Sequence, residues 1–579
     1  MKPSFVTDHL DIWTSTIEKK SSSGRGSKGK ISLYGIKKLR ELILELAVRG
    51  KLVPQDPNDE PASVLLEKID TEKERLIEEK TIKKPKKLPE ISDEDKPFDL
   101  PVGWQLLRLG DAINVLNGRA YKKHEMLSEG TPLLRVGNLF TVNKWYYSDL
   151  ELEPDKYINN GDLIYAWSAS FGPFIWNGGK VIYHYHIWKL DLFDGKSLFK
   201  YYVLNYLASI TEKIKSSGSG IAMIHMTKDR MEKLVLPIPP IEEQHRIVAK
   251  VDELMSLCDQ LERQTEDSIA AHQTLVETLL DTLTQSQNAE ELAQNWNRIS
   301  DHFNTLFTTE HSIDQLKQTI LQLAVMGKLV SQDPNDESAS VLLEKIAVDK
   351  EKLIKEGKIK KQKPLPEIND DENPFDLPKG WEWCRFDCII DQRSPLSYGV
   401  LVPGPDVRGG VPFARIGDLS INNPPVNPEK SISKEIDAKY ERTRIYGGEI
   451  LMAVVGSIGK LGIAPDSWSG ANIARAICRI APMKSIHSNY ILLLLQSRFM
   501  QKGFLGDTRT LAQPTLNIGL IKNTLTPIPP LAEQLRIVNK VDQLITLCDE
   551  IGIDFVKTQT MQLLLTDVIV GQSTEYKSA

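Results

Sequence analysis

Four clusters in this 579-residue chain have residue types and spacings that chemistry could use. Gly456, Ser457, Ile458, Gly459 and Lys460 approach a phosphate-cradling loop. The upstream glycine spacing is wrong, however, and Leu461 stands where a hydroxyl residue would hold Mg²⁺, so the run reads as a tight β-turn. Asn423, Pro424 and Pro425 begin like an amino-methyltransferase motif, but Val426 replaces the aromatic that would stack on an extruded base. Cys384 and Cys388 have no second Cys/His pair within zinc-finger distance and read as structural thiols. His184 and His186 flank Tyr185, and the alternation predicts a half-buried aromatic strand with both imidazoles on one side rather than a metal site. No His-Glu-x-x-His and no glycine-rich dinucleotide or methyl-donor loop occurs. The expectation is a chain with no catalytic centre and no metal.

The elements that must carry these residues are duplicated. LAVRGKLVPQDPNDEPASVLLEKID (46–70) returns as LAVMGKLVSQDPNDESASVLLEKIA (323–347), identical at 21 of 25 positions. PIPPIEEQHRIVAKVDELMSLCD (237–259) returns as PIPPLAEQLRIVNKVDQLITLCD (527–549), identical at 16 of 23. Between the repeats the halves agree only in patches, such as PLLRVGNL (132–139) and PFARIGDL (412–419). A unit this long excludes a solenoid, whose repeat is ~20–50 residues. Plain duplication and drift would blur the whole unit evenly. Alike frames around unlike inserts imply two equal partners and two different ligands.

Helix signals fill the frames. Ile36 to Arg49 and Ile313 to Met326 end at Gly50 and Gly327, suited to a helix C-terminus. Shorter helices are predicted from Ala62 to about Lys80 and from Ala339 to about Glu356, each followed by a basic connector, KKPKKLPE (83–90) and KKQKPLPE (360–367). After each Pro-Ile-Pro-Pro comes a long helix with a coiled-coil seam: Ile247, Val251, Leu254, Cys258 and Leu261, then Ile537, Val541, Leu544, Cys548 and Ile551. In the first helix the face continues through Ile269, Leu275, Val276, Leu279 and Leu283. About 40 residues at 1.5 Å each make a rod of ~60 Å. The inserts are rich in β-branched and aromatic residues with glycine turns, then a helical segment (Leu198 to Ile214; Asn489 to Lys502).

The predicted fold class is α+β: two mixed α/β heads separated by long helices that form an antiparallel coiled coil, with a pseudo-twofold internal repeat. The domains expected are an N-terminal helical frame (1–103, with a flexible linker at 21–30), a first head (104–236), a central helical frame (237–380), a second head (381–526) and a C-terminal helix (527–579). At 41% apolar and 26% charged, the composition excludes a disordered or disulfide-built chain. No apolar run approaches the ~18 residues of a membrane span, the first residues lack a signal-peptide core, and five scattered cysteines fit a reducing compartment; the expected location is the cytoplasm. The net charge of −6 conceals basic heads, +3 over 105–235 and +5 over 382–525, in an acidic frame, which admits anionic ligands at two places.

The doubled LAV-x-GKLV-x-QDPNDE frame, the PIPP-x-x-EQ-x-RIV-x-KVD helix starts and the Gly506…Gln513, Pro514, Thr515, Leu516, Asn517 ending of the second insert resemble the specificity subunit of type I restriction–modification systems. The resemblance runs from about residue 31 to 570 and is greatest to the enterobacterial group with an extended N-terminal frame. In the first insert Gly220 to Met226 replace the usual Gln-Pro ending. The resemblance implies a non-catalytic chain whose heads are target recognition domains, each reading one half of a split, asymmetric double-stranded DNA site. It implies two docked modification subunits that methylate adenine with S-adenosylmethionine, joined by restriction/motor subunits using ATP and Mg²⁺, with no cofactor on this chain. Half-sites about one turn (~34 Å) apart would place both heads on one side of the duplex.

Arginine suits guanine and Asn/Gln adenine, while Lys and Ser mostly hold phosphates. On that basis the DNA-binding candidates in the first head are Arg119, Tyr121, Lys122, Lys123, Arg135, Asn138, Ser217 and Ser219. In the second they are Arg393, Tyr398, Arg415, Lys460, Arg475, Arg509 and Gln513. Two rival readings stay open, a stand-alone DNA methyltransferase or nuclease and a coiled-coil DNA-binding scaffold without a modification partner.

Overall fold

The computed structural model describes residues 8–19, 31–140, 143–168, 171–217, 226–506 and 515–575. The chain divides into two compact units, Met1–Ser268 with Thr558–Ala579, and Ile269–Lys557. The heads fall in different units. Each of the two long helices, Ile241–Gln285 and Leu531–Glu575, begins in one unit and ends in the other.

In the first unit helix Tyr34–Val48 buries Ile36, Leu39, Leu42, Ile43 and Leu46 and is followed by Gly50 at φ +67°. A side chain at Gly50 would meet Pro101 Cγ at 2.6 Å and Trp104 Cζ2 at 2.9 Å. Glycine is required there both for the left-handed turn and for space. Helix Ala62–Glu78 and the basic connector lead to strand Gln105–Arg108, which pairs antiparallel with Val235–Ile238, Leu107 opposite Leu236. The head therefore leaves and re-enters the frame through one two-stranded ribbon, so its interior can change while its ends stay fixed. In the second unit Glu382–Arg385 pairs with Leu525–Ile528 in the same way.

A buried latch ties each ribbon to its frame. Glu243 Oε2 accepts from Trp104 Nε1 at 2.9 Å, and its Oε1 from Gln55 Nε2 at 3.1 Å. Beside it Arg246 holds Asp59 at 2.7 Å. The neighbouring Gln244 turns to the head, accepting from Phe199 N at 2.7 Å and donating to Ser197 O at 3.3 Å. In the second unit Glu533 accepts from Gln332 at 3.1 Å, Arg536 holds Asp336 at 2.6 Å, and Gln534 accepts from His487 N at 2.9 Å. Trp381 stands beside Glu533 with its Nε1 outside hydrogen-bond geometry. The repeated Glu-Gln pair thus serves two masters, the Glu holding the QDPND loop and the Gln holding the head.

The first head contains two four-stranded sheets. One orders Tyr146–Ser148, Thr131–Leu134, Val181–Tyr183 and Tyr157–Ile158; the other orders Ile113–Asn117, Ile187–Leu192, Leu163–Ala166 and Gly172–Ile175. The pairing is antiparallel except between Thr131–Leu134 and Val181–Tyr183. The second head repeats this plan. Lys430–Ile432, Val411–Ala414 and Asn472–Ile473 form one sheet, again with a single parallel pair, and Ser397–Tyr398, Ile477–Ile480, Ile450–Ala453 and Leu461–Ile463 form the other. The run expected as one alternating strand through His184 and His186 is instead two strands of different sheets joined by a tight turn, Ile187 N donating to His184 O at 2.9 Å. The single helix expected over Asn489–Lys502 breaks at Ser497, whose hydroxyl caps Leu494 O at 2.6 Å.

The seam residues of the long helices are buried, but inside the unit cores. Ile247, Val251, Leu254 and Cys258 share one core with helix Tyr34–Val48, with Leu261 packed at its edge, and Arg40 of that helix reaches Asp259 at 2.6 Å and Glu262 at 2.8 Å. Ile537, Val541 and Cys548, with Leu544 and Ile551 half-buried, share the other core with helix Glu310–Val325, whose Lys317 reaches Asp549 at 2.5 Å. A short frame helix thus joins each seam. Leu275 does not continue the face and is exposed. Helix Ala289–Asp301, capped by the Asn288 side chain on Glu291 N, has no counterpart among the elements expected from the sequence. Among the described residues no helix is long and apolar enough to cross a membrane.

Candidate nucleic-acid interface

The chemistry-bearing side chains of the first head collect where the chain passes from one sheet to the other. Strands Ile113–Asn117, Thr131–Leu134 and Leu163–Ala166 run out towards the turn at 184–186, delivering Arg119, Arg135 and Trp167 to it. Tyr185 is at the tip and exposed, with its ring centroid 4.0 Å from that of His186; the His184 and His186 rings lie 4.8 Å apart. Trp167 Nε1 donates to Tyr185 O at 2.8 Å, and its ring stacks on Trp188. Burial, with His186 and Arg135 beside it, pushes the His184 imidazole down to about 4, so it is neutral near pH 7. The alternation of this trio points to a strand; the break between two sheets, which turns its polar edges outward, leaves no mark in the local sequence.

The nominated residues divide by environment. Arg119 Nη2 is committed to Glu125 at 2.6 Å, and its guanidinium lies 5.1 Å from the Tyr121 ring centre. Tyr121 itself packs in a small core with Leu133 and Ile182, and burial pushes its phenol up to about 12, so it does not face outward. Asn138 caps its own turn, accepting from Arg135 N at 3.2 Å and donating to Lys144 O at 3.1 Å. Arg135 is exposed over the Tyr146 ring, and Lys122 and Lys123 are exposed. The Ser217 side chain, Ser219, Arg509 and Gln513 lie outside the described residues.

In the second head Arg393 is held by Asp391 at 2.6 Å, Arg415 by Glu429 at 3.0 Å, and Lys460 donates to Ile416 O at 2.9 Å. Tyr398 is a strut, donating to Leu516 O at 2.9 Å and accepting from Ile518 N at 3.0 Å. Arg475 differs. It is exposed and lines an open groove of about 670 Å³ with Tyr398, Tyr440 and Arg442. Neither Arg442 nor Arg475 pairs with a carboxylate among the described residues. Arg442 escapes sequence reasoning because nothing around it separates it from an ordinary surface charge.

Such a surface offers outward hydrogen-bond forks and aromatic edges. Among the described residues no three His, Cys, Asp or Glu side chains are grouped to hold a metal. Cys384 and Cys388 have thiols pushed up by burial, away from the reactive thiolate form.

Comparison with known proteins agrees with a recognition role. The model of the type I restriction modification DNA specificity domain matches residues 101–271 and 406–552, one stretch in each half of the chain. The type I restriction enzyme EcoAI specificity subunit of Escherichia coli is 40% identical over 97% of this chain and 98% of its own length. The EcoEI specificity subunit, also of Escherichia coli, is 40% identical with the same coverage. A solved HsdS subunit from Thermoanaerobacter tengcongensis aligns with a TM-score of 0.39 at 17% identity, over 83% of this chain and 98% of that one. With two unlike heads on a doubled frame and this likeness along nearly its whole length, the chain belongs to the family of type I restriction–modification specificity subunits.

Proposed function

We propose that each head reads one half of a split, asymmetric DNA site, while the two frames dock two copies of one modification subunit and, through them, restriction/motor subunits. The observation that carries this is the contrast inside one chain: the latches match residue for residue, Glu243 with Glu533, Gln244 with Gln534 and Arg246 with Arg536, while the head surfaces do not. Equal frames suit equal partners, and unlike heads suit unlike half-sites. S-adenosylmethionine, ATP and Mg²⁺ belong to the partner subunits in this reading, and the complex works in the cytoplasm. Replacing residues 105–235 by another head and sequencing the methylated DNA tests the reading. Only one half of the methylated sequence should change; a change in both halves would overturn it.

A further inference from the structure

The turn between the sheets is built on one backbone in both heads. In the first head Arg119 N donates to Tyr183 O (3.1 Å), Tyr185 N to Arg119 O (3.0 Å), His184 N to Leu134 O (2.9 Å), Ile187 N to His184 O (2.9 Å) and Trp167 N to His186 O (3.1 Å). In the second, Val400 N donates to Ile473 O (2.8 Å), Arg475 N to Val400 O (3.0 Å), Ala474 N to Ala414 O (3.0 Å), Ile477 N to Ala474 O (2.9 Å) and Val454 N to Ala476 O (2.8 Å). All five bonds correspond. Gly118 and Gly399 correspond as well: a Cβ on either would strike the main chain of the facing turn segment, His184 O in one head and Ile473 O in the other. The burial sequence also repeats, three buried residues, then half-buried, exposed and half-buried, over 181–186 and 471–476.

On this shared backbone the side chains are exchanged wholesale. Arg119, Trp167, His184, Tyr185 and His186 of the first head stand where the second has Val400, Val454, Ala474, Arg475 and Ala476. Among the polar side chains at the turn, the arginine after the central strand, Arg135 or Arg415, is kept. Core positions beside the turn keep their chemistry, as Ile187 and Ile477 show; here an aromatic–imidazole tip is replaced by a guanidinium between two alanines. A fixed mount carrying different outward chemistry is what discrimination between two ligands of one class requires. The constant arginine suits what every DNA site shares, the phosphate.

We propose that Tyr185 and Arg475 occupy the same reading position in the two heads and make the half-sites differ, Arg475 taking a guanine through its two-pronged fork and Tyr185, flanked by His184 and His186, taking a different base. The assignment rests on the reading that the heads contact DNA. Arginine against guanine O6 and N7 is a two-bond match that alanine loses and that lysine, a flexible point charge without the planar fork, holds less rigidly. Tyr185 offers a ring edge and a hydroxyl that can donate or accept, beside the neutral His184.

The test uses full-length chain assembled with its modification partner. R475A, R475K and Y185A are each assayed by sequencing methylated DNA and by thermal melting. R475A should lower the preference for guanine at one position of one half-site by about tenfold or more and R475K by less, each leaving the other half and the melting temperature unchanged. Y185A should relax one position in the opposite half. Uniform weakening across all sequences, an unchanged half-site, or loss of preference in both halves would overturn the assignment. The exchange of residues 105–235 separates the two levels. If that exchange alters one half-site while the point variants alter nothing, only this assignment fails; if it too alters nothing, the heads are not the readers.

Discussion

A carboxylate buried behind an indole is penalised for its charge unless donors meet it. Glu243 has two, Trp104 Nε1 and Gln55 Nε2, and burial still holds its carboxyl above the ordinary range; Glu533 is raised in the same way. The folded chain therefore holds these protons more tightly than the unfolded chain does. Their contribution to stability is fully present below the unfolded carboxylate value and is lost as pH rises through the raised one. Glu243→Gln, which is neutral at every pH, should gain on the parent chain as pH rises from about 4 through the raised value. Melting temperatures recorded across that series check it, and a difference that is flat or favours the parent chain as pH rises contradicts it. Glu243 and Gln244 were legible only as letters of a repeat. Their partners lie 139, 188 and 45 residues away, and no local pattern announces a contact at such distance.

At the scale of the element, helix positions followed from periodicity and terminal glycines, and the frame helices start and stop within a few residues of expectation. Helix Glu310–Val325 starts three residues early because Thr309 and Ser312 form a capping pair ahead of the apolar face. What escaped was local interruption without a proline or glycine at the spot: the turn at 184–186, held by Leu134 O and Arg119 O, and the break at Ser497, made by its own hydroxyl on Leu494 O. Gly50 shows how much a terminator carries. Placing alanine there forces a side chain into the left-handed region, about 1–2 kcal/mol, and also drives it against Pro101 and Trp104. Gly179, at φ +84° and with no heavy atom within 4 Å of the Cβ that alanine would add, isolates the first cost from the second. Gly50→Ala should therefore destabilise the chain more than Gly179→Ala does in denaturant unfolding. Equal losses would mean that the Pro101–Trp104 wall yields freely.

For the molecule as a whole, duplication was plain in the sequence, and so was the division into constant frames and changing heads. That the heads share a topology was not, since strand order and the five turn bonds survive almost complete replacement of side chains. Nor was the way the chain closes on itself. The last turns of helix Leu531–Glu575 belong to the first unit: Thr566 meets Thr16 hydroxyl to hydroxyl at 3.1 Å, Tyr34 donates to Asp567 at 2.8 Å, and Gln559 donates to Ile17 O at 3.1 Å. Ile569 is buried in the same core as Trp13, Leu39 and Ile43. Hydrogen-bond partners 550 residues apart make the C-terminal helix a structural part of the N-terminal frame. Ending the chain at Lys557 removes these bonds and uncovers Trp13 and its neighbours, while the latch around Glu533 keeps every residue it uses. Amide exchange should accordingly quicken in helices Leu10–Ser15 and Tyr34–Val48, with helix Glu310–Val325 left at its original rate. If the frames dock the modification subunits as proposed, partner capture should drop at the same time, because one frame has lost its closing helix. Unaltered exchange in the N-terminal helices after this truncation would mean that the closure adds nothing to the N-terminal frame.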